Sequence, residues 1–447
     1  MSMFDSFITG HWFSTAAKNV WSDVQTLQAW LTVEAALAEA QSLLGMIPAQ
    51  AAYTIRQCAD ARRFDTAHLS EQIAFAQHPL VPVLHQFEQL CGDPAAGYIH
   101  WGATTQNIFD TATSLQMRDT HRLLTGQLDA AINALGQLAL DHQATPMAGR
   151  THGQHALPMT FGFKLAGWID ELDRDRQRLH DRLDSSFVAS LGGAIGTFAA
   201  LGPQGRAVEA GMAQVLGLQP AGLPMRASYD RVCDYLAALS LLAGTAQKIA
   251  QDVVFMQRTE IGEVAEAFHL GKVGSSTMAQ KRNPATAQLL ISLARMLRAR
   301  VPAALDSMVR LDEGDSSATN VTDTLVPEIA ILAVSLAETL ATLARGLTVD
   351  AQRMRENLDL TGGLIASEAA MMQLTAYMGR HEAHHVLYEA AQRAQSERIA
   401  FAESLLAHPQ LLDPARAETV LKALLPTTYL GESAALAREA AARTRRT

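Results

Sequence analysis

The sequence predicts an all-α protein, with a central bundle of long helices and a helical domain at each end of the chain. Three observations predict it. Ala and Leu do most of the apolar work in a chain that is 48% hydrophobic but only 6% aromatic, and both favour helices. Apolar or small residues recur in steps alternating between four and three, the spacing of one buried helix face. Period-two alternation, the mark of a strand, is scarce.

The elements follow in order. Helical stretches cover about 20 to 44, 106 to 142 and 158 to 188, the last with an apolar start and a charged end, "DELDRDRQRLHDRLD". Residues 235 to 258 place Tyr235, Leu239, Leu242, Ala246, Ile249, Val253 and Met256 on one face. The next helix spans about 284 to 308, with Asn283 as N-cap and Pro284 at the first helical position. Another spans about 325 to 347, with Ile329, Leu332, Leu336, Leu340, Leu343 and Leu347 along one side. The tail from about 364 to 444 alternates helical patterns with short turns carrying Pro or Gly. Boundaries near 110 and 350 divide the chain into an N-terminal domain (1–110), a central bundle (111–350) and a C-terminal domain (351–447).

Composition excludes several function classes. With 36 basic against 45 acidic residues the net charge is −9, and no basic stripe marks a nucleic-acid surface. No stretch of about 20 uncharged apolar residues suggests a membrane span. The opening "MSMFDSFITGHWF" lacks the basic start of a secretory signal. Three widely spaced cysteines (Cys58, Cys91, Cys233) form neither a disulfide framework nor a metal motif, which fits a reducing cytoplasm. Any anion must be bound by local groups.

Four stretches concentrate polar residues. In "YIHWGATTQN" (98–107), His100, Thr104, Thr105, Gln106 and Asn107 surround Gly102. Thr104 or Thr105 can cap the following helix, and a capped N-terminus also attracts anions. In "GRTHGQHALP" (149–158), His152 and His155 bracket Gly153 and Gln154. A metal would need further ligands, and none follows nearby; proton transfer suits the pair better, set against a satisfied surface pair of histidines. Pro158 is expected to open the next helix, making this a pre-helix turn. In "RASYDRVCDY" (226–235), Asp230 and Arg231 by themselves read best as a first-turn acid and its solvated neighbour. In "GSSTMAQKRNP" (274–284), a helix start accounts for Asn283–Pro284 alone. Gly274 allows close backbone approach, Lys281 offers a point charge for a carboxylate, and a Ser hydroxyl needs such surroundings to become a base.

Taken together, these stretches resemble the fumarase/aspartase superfamily of lyases, which includes adenylosuccinate lyase, argininosuccinate lyase and bacterial 3-carboxy-cis,cis-muconate cycloisomerase. "GSSTMAQKRNP" is similar to its Gly-Ser-Ser-x-Met-Pro-x-Lys-x-Asn-Pro signature, "GRTHGQHALP" to its Thr-His segment, and "HWGATTQN" to its Thr/Ser-rich loop. "MQRTEIGEV" (256–264) and "NLDLTGGLIASE" (357–368) extend the similarity over nearly the whole chain. The resemblance implies three helical domains and a homotetramer with a twenty-helix core, in which each active site draws its signature segments from three subunits. It implies no cofactor and no metal. The apolar seams would then be faces buried between subunits.

The implied chemistry is proton abstraction beside a carboxylate, giving an aci-carboxylate, then loss of a group from the adjacent carbon. By the resemblance Ser275 is the base, carried on a mobile loop, and His152 is the acid or a charge partner for the leaving group. Lys281, Asn283 and Ser276 hold the substrate carboxylate, and His100, Thr104, Thr105, Asn107, Gln154 and Arg231 complete the binding set. The overall pattern, including "FVASLGGAIGTFAALG" (187–202), leans to the cycloisomerase branch acting on a di- or tricarboxylate. His152 departs from it, standing where bacterial cycloisomerases carry Trp, and this supports the alternative of a C–N or C–O lyase or epimerase on a substituted succinate. "LDEGDSSATN" (311–320) lacks the Arg of the nucleotide-binding relatives, and Asp312, Glu313 and Asp315 repel a phosphate. A non-catalytic structural descendant is the least favoured reading, because Ser275, Lys281, Asn283 and His152 are all intact.

Overall fold

The structure, a computed structural model, describes residues 3–268, 277–278 and 280–444. Six helices of 21 to 37 residues dominate it: Asp23–Leu43, Thr105–Asp141, Phe161–Ser186, Asp230–Met256, Ala285–Asp306 and Ser316–Gly346. Each falls on an expected stretch. Ser316–Gly346 starts earlier than its apolar periodicity indicates, because Asp315 caps it. The Asp315 carboxylate accepts from the Ser317 N–H (2.9 Å) and hydroxyl (2.6 Å), and the Asp315 carbonyl accepts from the Thr319 N–H (3.1 Å). Asp315 of "LDEGDSSATN" is therefore committed to a helix start.

"GRTHGQHALP" is where the all-helical expectation fails. It is not a pre-helix turn but an antiparallel hairpin, β1 (Pro146–Thr151) with β2 (Gln154–Thr160), and the next helix opens at Phe161 rather than at Pro158. Pro158 sits within β2 opposite Ala148. A two-stranded ribbon has only edge strands, so a missing N–H is tolerated there. The other sheets are two-residue pairings.

The chain folds as two compact units. One comprises Met1–Gln127, Arg174–Ala246 and Ser292–Glu338; the other comprises Leu128–Asp173, Gln247–Ile291 and Thr339–Thr447. In the first, helix Asp23–Leu43 packs on Gly205–Leu216 and Ala49–Cys58 around Leu31, Leu37, Ile55, Phe87 and Ile108. In the second, Ser367–Met378 packs on Arg380–Glu397 with Leu374, Leu387 and Phe401 between them.

Tyr235, Leu239, Leu242, Ala246, Ile249, Val253 and Met256 are all buried, as are Ile329, Leu332, Leu336, Leu340, Leu343 and Leu347. These seams are thus covered within a single chain, and they do not by themselves call for a neighbouring subunit. Helix Ser316–Gly346 is long and apolar enough to cross a membrane, where the sequence pattern suggested no such span. However, 72% of its apolar window is buried inside the fold, which is how a core helix behaves.

Candidate active site

The first unit contains the Thr-rich turn. Helix Thr105–Asp141 leaves Thr104 in the N-cap position, where its carbonyl accepts from the Asn107 N–H (2.9 Å). Asn107 is 1% exposed, and its Oδ1 accepts from both the Thr104 N–H (3.0 Å) and the Gly193 N–H (3.2 Å). This is the return half of a capping box, extended to a second segment. Neighbouring Gly192 must be Gly, since a Cβ there would lie 2.6 Å from the Gly196 Cα. That steric requirement accounts for one glycine of the Gly-rich run at 187–202.

His100 precedes this turn with φ 59°. Its backbone N–H donates to Glu34 Oε2 (3.1 Å), and its ring Nδ1 lies 2.6 Å from Glu34 Oε1. A carboxylate only accepts, so Nδ1 carries the proton and Nε2 is the nitrogen left for other work.

Arg231 opens helix Asp230–Met256 beside its first-turn acid, and its guanidinium donates to the Ser185 carbonyl (3.0 Å). With Asp110 and Thr113 it lines a narrow pocket, which brings it to the early turns of the Thr105 helix. Asp110, Thr113 and Tyr229 also line a cavity of about 330 Å³ with Trp30, Phe109 and Asp323. Burial pushes the Asp110 carboxyl up to about 6, against a hydrogen bond from Gln106 Nε2 (2.8 Å). Burial also raises Asp323. The Arg310 charge, over the Tyr229 ring at 4.3 Å, opposes this rise at both acids.

The second unit contains the hairpin. His152 and Gly153 form its two-residue turn with φ 52° and 78°, the double positive φ of a type I′ turn, where Asn-Gly is the unstrained choice. A His held there, exposed at the tip beside Gln154, is a local conflict of the kind functional sites carry. The hairpin is anchored from below. The Arg150 guanidinium makes a paired contact to buried Glu263 (2.6 and 2.9 Å), and Asn357 Nδ2 donates to the same carboxylate (2.9 Å) and to the Ile261 carbonyl (2.9 Å). These contacts give a physical reason for the two accessory segments, 256–264 and 357–368. His155, opposite Arg150, is held below its ordinary value by burial first and by the Arg150 charge second. It therefore stays neutral while His152 occupies the tip.

Lys281 and Asn283 are exposed just ahead of helix Ala285–Asp306. Glu266, from earlier in the chain, also reaches the start of this helix. The Thr286 and Ala287 N–H groups donate to the Glu266 carboxylate (3.0 and 2.6 Å), and the helix opens at Ala285, after Pro284. The Glu266 carboxylate thus reaches this helix start from 19 positions before Ala285. Ser275 and Ser276 lie outside the described residues.

The structure therefore brings His100, Thr104, Thr105, Asn107 and Arg231 into one unit, and places His152, Gln154, Lys281 and Asn283 in the other. Glu34 and Glu266 lie outside the motifs visible in the sequence, whereas Gly193, Glu263 and Asn357 fall within the segments 187–202, 256–264 and 357–368 without standing out there. Glu34 had one visible signal, a lone acid among "LTVEAALA" on an apolar helix.

The comparisons with known proteins identify the class as a lyase of the fumarase/aspartase type. A family described as lyase matches residues 10–299, and adenylosuccinate lyase C-terminus matches 363–440. The chain is 37% identical over 421 residues to N-acetyl-S-(2-succino)cysteine lyase of Enterococcus italicus, covering 94% of this chain and 92% of that protein. It is 37% identical over 399 residues to 3-carboxy-cis,cis-muconate cycloisomerase of Pseudomonas putida, covering 89% and 94%. The crystal structure of fumarate lyase from Mesorhizobium sp. BNC1 superposes with a TM-score of 0.89 at 34% identity, covering 96% of this chain and 98% of that one. The chain belongs to the fumarase/aspartase superfamily of lyases and cycloisomerases.

Proposed function

We propose that this enzyme eliminates a sulfur- or nitrogen-linked group from a substituted succinate and releases fumarate. The observation that carries the reading is His152, an imidazole kept in a turn that favours Asn and exposed at the tip of an anchored hairpin. Elimination needs two opposite proton transfers. Ser275 takes the proton from the carbon beside one carboxylate, and Lys281, Asn283 and Ser276 meet the aci-carboxylate that develops. The bond from the neighbouring carbon to sulfur or nitrogen then breaks, and His152 gives its proton to the departing atom. Thr104, Thr105, Asn107, Gln154, His100 and Arg231 hold the substrate's carboxylates. The Enterococcus relative's name supplies a concrete substrate of this class, a succinylated thiol.

A second reading is lactonisation of 3-carboxy-cis,cis-muconate. The overall sequence pattern favours it, as does the similarity to the Pseudomonas cycloisomerase. For either reaction we propose the homotetramer with sites shared among three subunits, the three-domain division at about 110 and 350, and a cytoplasmic enzyme. A substrate panel followed by ultraviolet absorbance separates the readings. Growth of fumarate absorbance from N-acetyl-S-(2-succino)cysteine or an N-succinyl amine is expected. Loss of carboxymuconate absorbance, with no turnover of any succinyl compound, would replace this reading with the second.

A further inference from the structure

We propose that Glu34 is a positioning residue of the active site, holding the His100 imidazole by its Nδ1–H so that Nε2 is presented to a substrate carboxylate.

Glu34 is 2% exposed, within a helix whose other buried residues are nearly all apolar. A carboxylate in such a place is costly unless it is paired. Its two oxygens are taken up by one residue, His100, through the backbone N–H at 3.1 Å and the ring Nδ1 at 2.6 Å. The His100 side chain remains 20% exposed, so the dyad runs from a buried acid to a ring that reaches the surface.

The same helix provides an internal comparison. Gln41, two turns further on and fully buried, donates through Nε2 to the Trp101 carbonyl (2.6 Å). A neutral amide is therefore sufficient to tie this turn to the helix, and at Trp101 that is what is used. At His100 the tie is a carboxylate instead. A carboxylate differs from an amide in two ways: it can only accept, which fixes which ring nitrogen carries the proton, and it can balance a positively charged ring. Both differences matter only if the ring does something with its other nitrogen. His100 is also held at φ 59°, a left-handed conformation that a non-glycine residue keeps only when its surroundings enforce it. It lies four residues ahead of Thr104, at the capped N-terminus where the free dipole attracts an anion.

This inference rests on the proposed carboxylate-binding role of the turn, and the test separates the two. Binding of succinate, a dicarboxylate that is not turned over, is measured by calorimetry beside steady-state kinetics on a succinyl substrate. Glu34→Gln keeps a hydrogen-bond acceptor and removes the charge. It is expected to weaken succinate and raise KM about ten-fold while kcat changes by less than about three-fold. His100→Gln, at a partly exposed ring, should do the same, and the double variant should be no worse than His100→Gln alone, since Glu34 acts through His100. Wild-type affinity for succinate in a folded Glu34→Gln variant, or additive losses in the double variant, would overturn the inference and leave the lyase reading standing. If Glu34→Gln does not fold, unchanged succinate affinity in His100→Gln overturns it equally. No binding of succinate by the wild-type enzyme would instead sink the carboxylate-binding reading on which the inference depends.

Discussion

At the scale of single residues, backbone conformation and chemistry can be pulled apart at His152. Asn accepts the left-handed conformation of a type I′ turn more readily than His. His152→Asn should therefore keep or slightly raise the melting temperature while lowering kcat on a succinyl substrate by roughly 10²- to 10⁴-fold. A large loss of Tm would mean that the ring packs rather than reacts. His121 tests a different kind of residue. It is 6% exposed, its Nδ1 lies 2.7 Å from the Tyr235 hydroxyl, and burial chiefly, with the nearby His180 and Arg122 charges, lowers it from 6.5 to about 4. The folded state resists a proton that the unfolded chain accepts, so stability falls as pH drops from about 6.5 to 4, by roughly 3 kcal/mol. Asp110, raised to about 6, works in the opposite direction, because the folded state gains its proton first and is relatively favoured as pH falls below 6. Urea unfolding at pH 7 and pH 5 should show a smaller acid loss in His121→Gln than in the wild type, and a larger one in Asp110→Asn.

At the scale of elements, the long helices were legible because their apolar faces repeat every three to four residues and those faces are buried. The turns were less so. The Thr105 cap could be read from Thr and Asn at the right spacing. The part Glu266 plays at the start of Ala285–Asp306 could not, since Glu266 lies 19 positions before Ala285. The hairpin was missed for a related reason. Pro158 normally announces a helix start, and only the register places it in a strand. Pairings over long sequence separations, such as Glu34 with His100 or Glu263 and Asn357 with Arg150, cannot be read from local spacing. Glu266→Ala therefore tests the element directly. Removing acceptors from two helix N–H groups should cost about 1–2 kcal/mol in chemical denaturation, and because Lys281 and Asn283 lie immediately upstream, KM should rise as well. An unchanged KM would show that the cap does not position that segment.

At the scale of the whole molecule, the proposal divides each active site among subunits. The buried seams do not argue for this, because they are satisfied within one chain. It is tested by mixing. Coexpressed Ser275→Ala and His152→Asn chains, each inactive alone, should regain a substantial part of wild-type turnover if a mixed tetramer can assemble a site with both residues intact. No recovery in a verified mixed tetramer would place both residues in one subunit's site. Chemistry is the central claim at this scale: a Ser275-initiated elimination that yields fumarate. The most direct measurement is fumarate release from N-acetyl-S-(2-succino)cysteine by wild type and Ser275→Ala, with helicity and assembly state matched by circular dichroism and light scattering. The account predicts steady release by the wild type and loss of turnover in the variant; near-normal release by Ser275→Ala would contradict it.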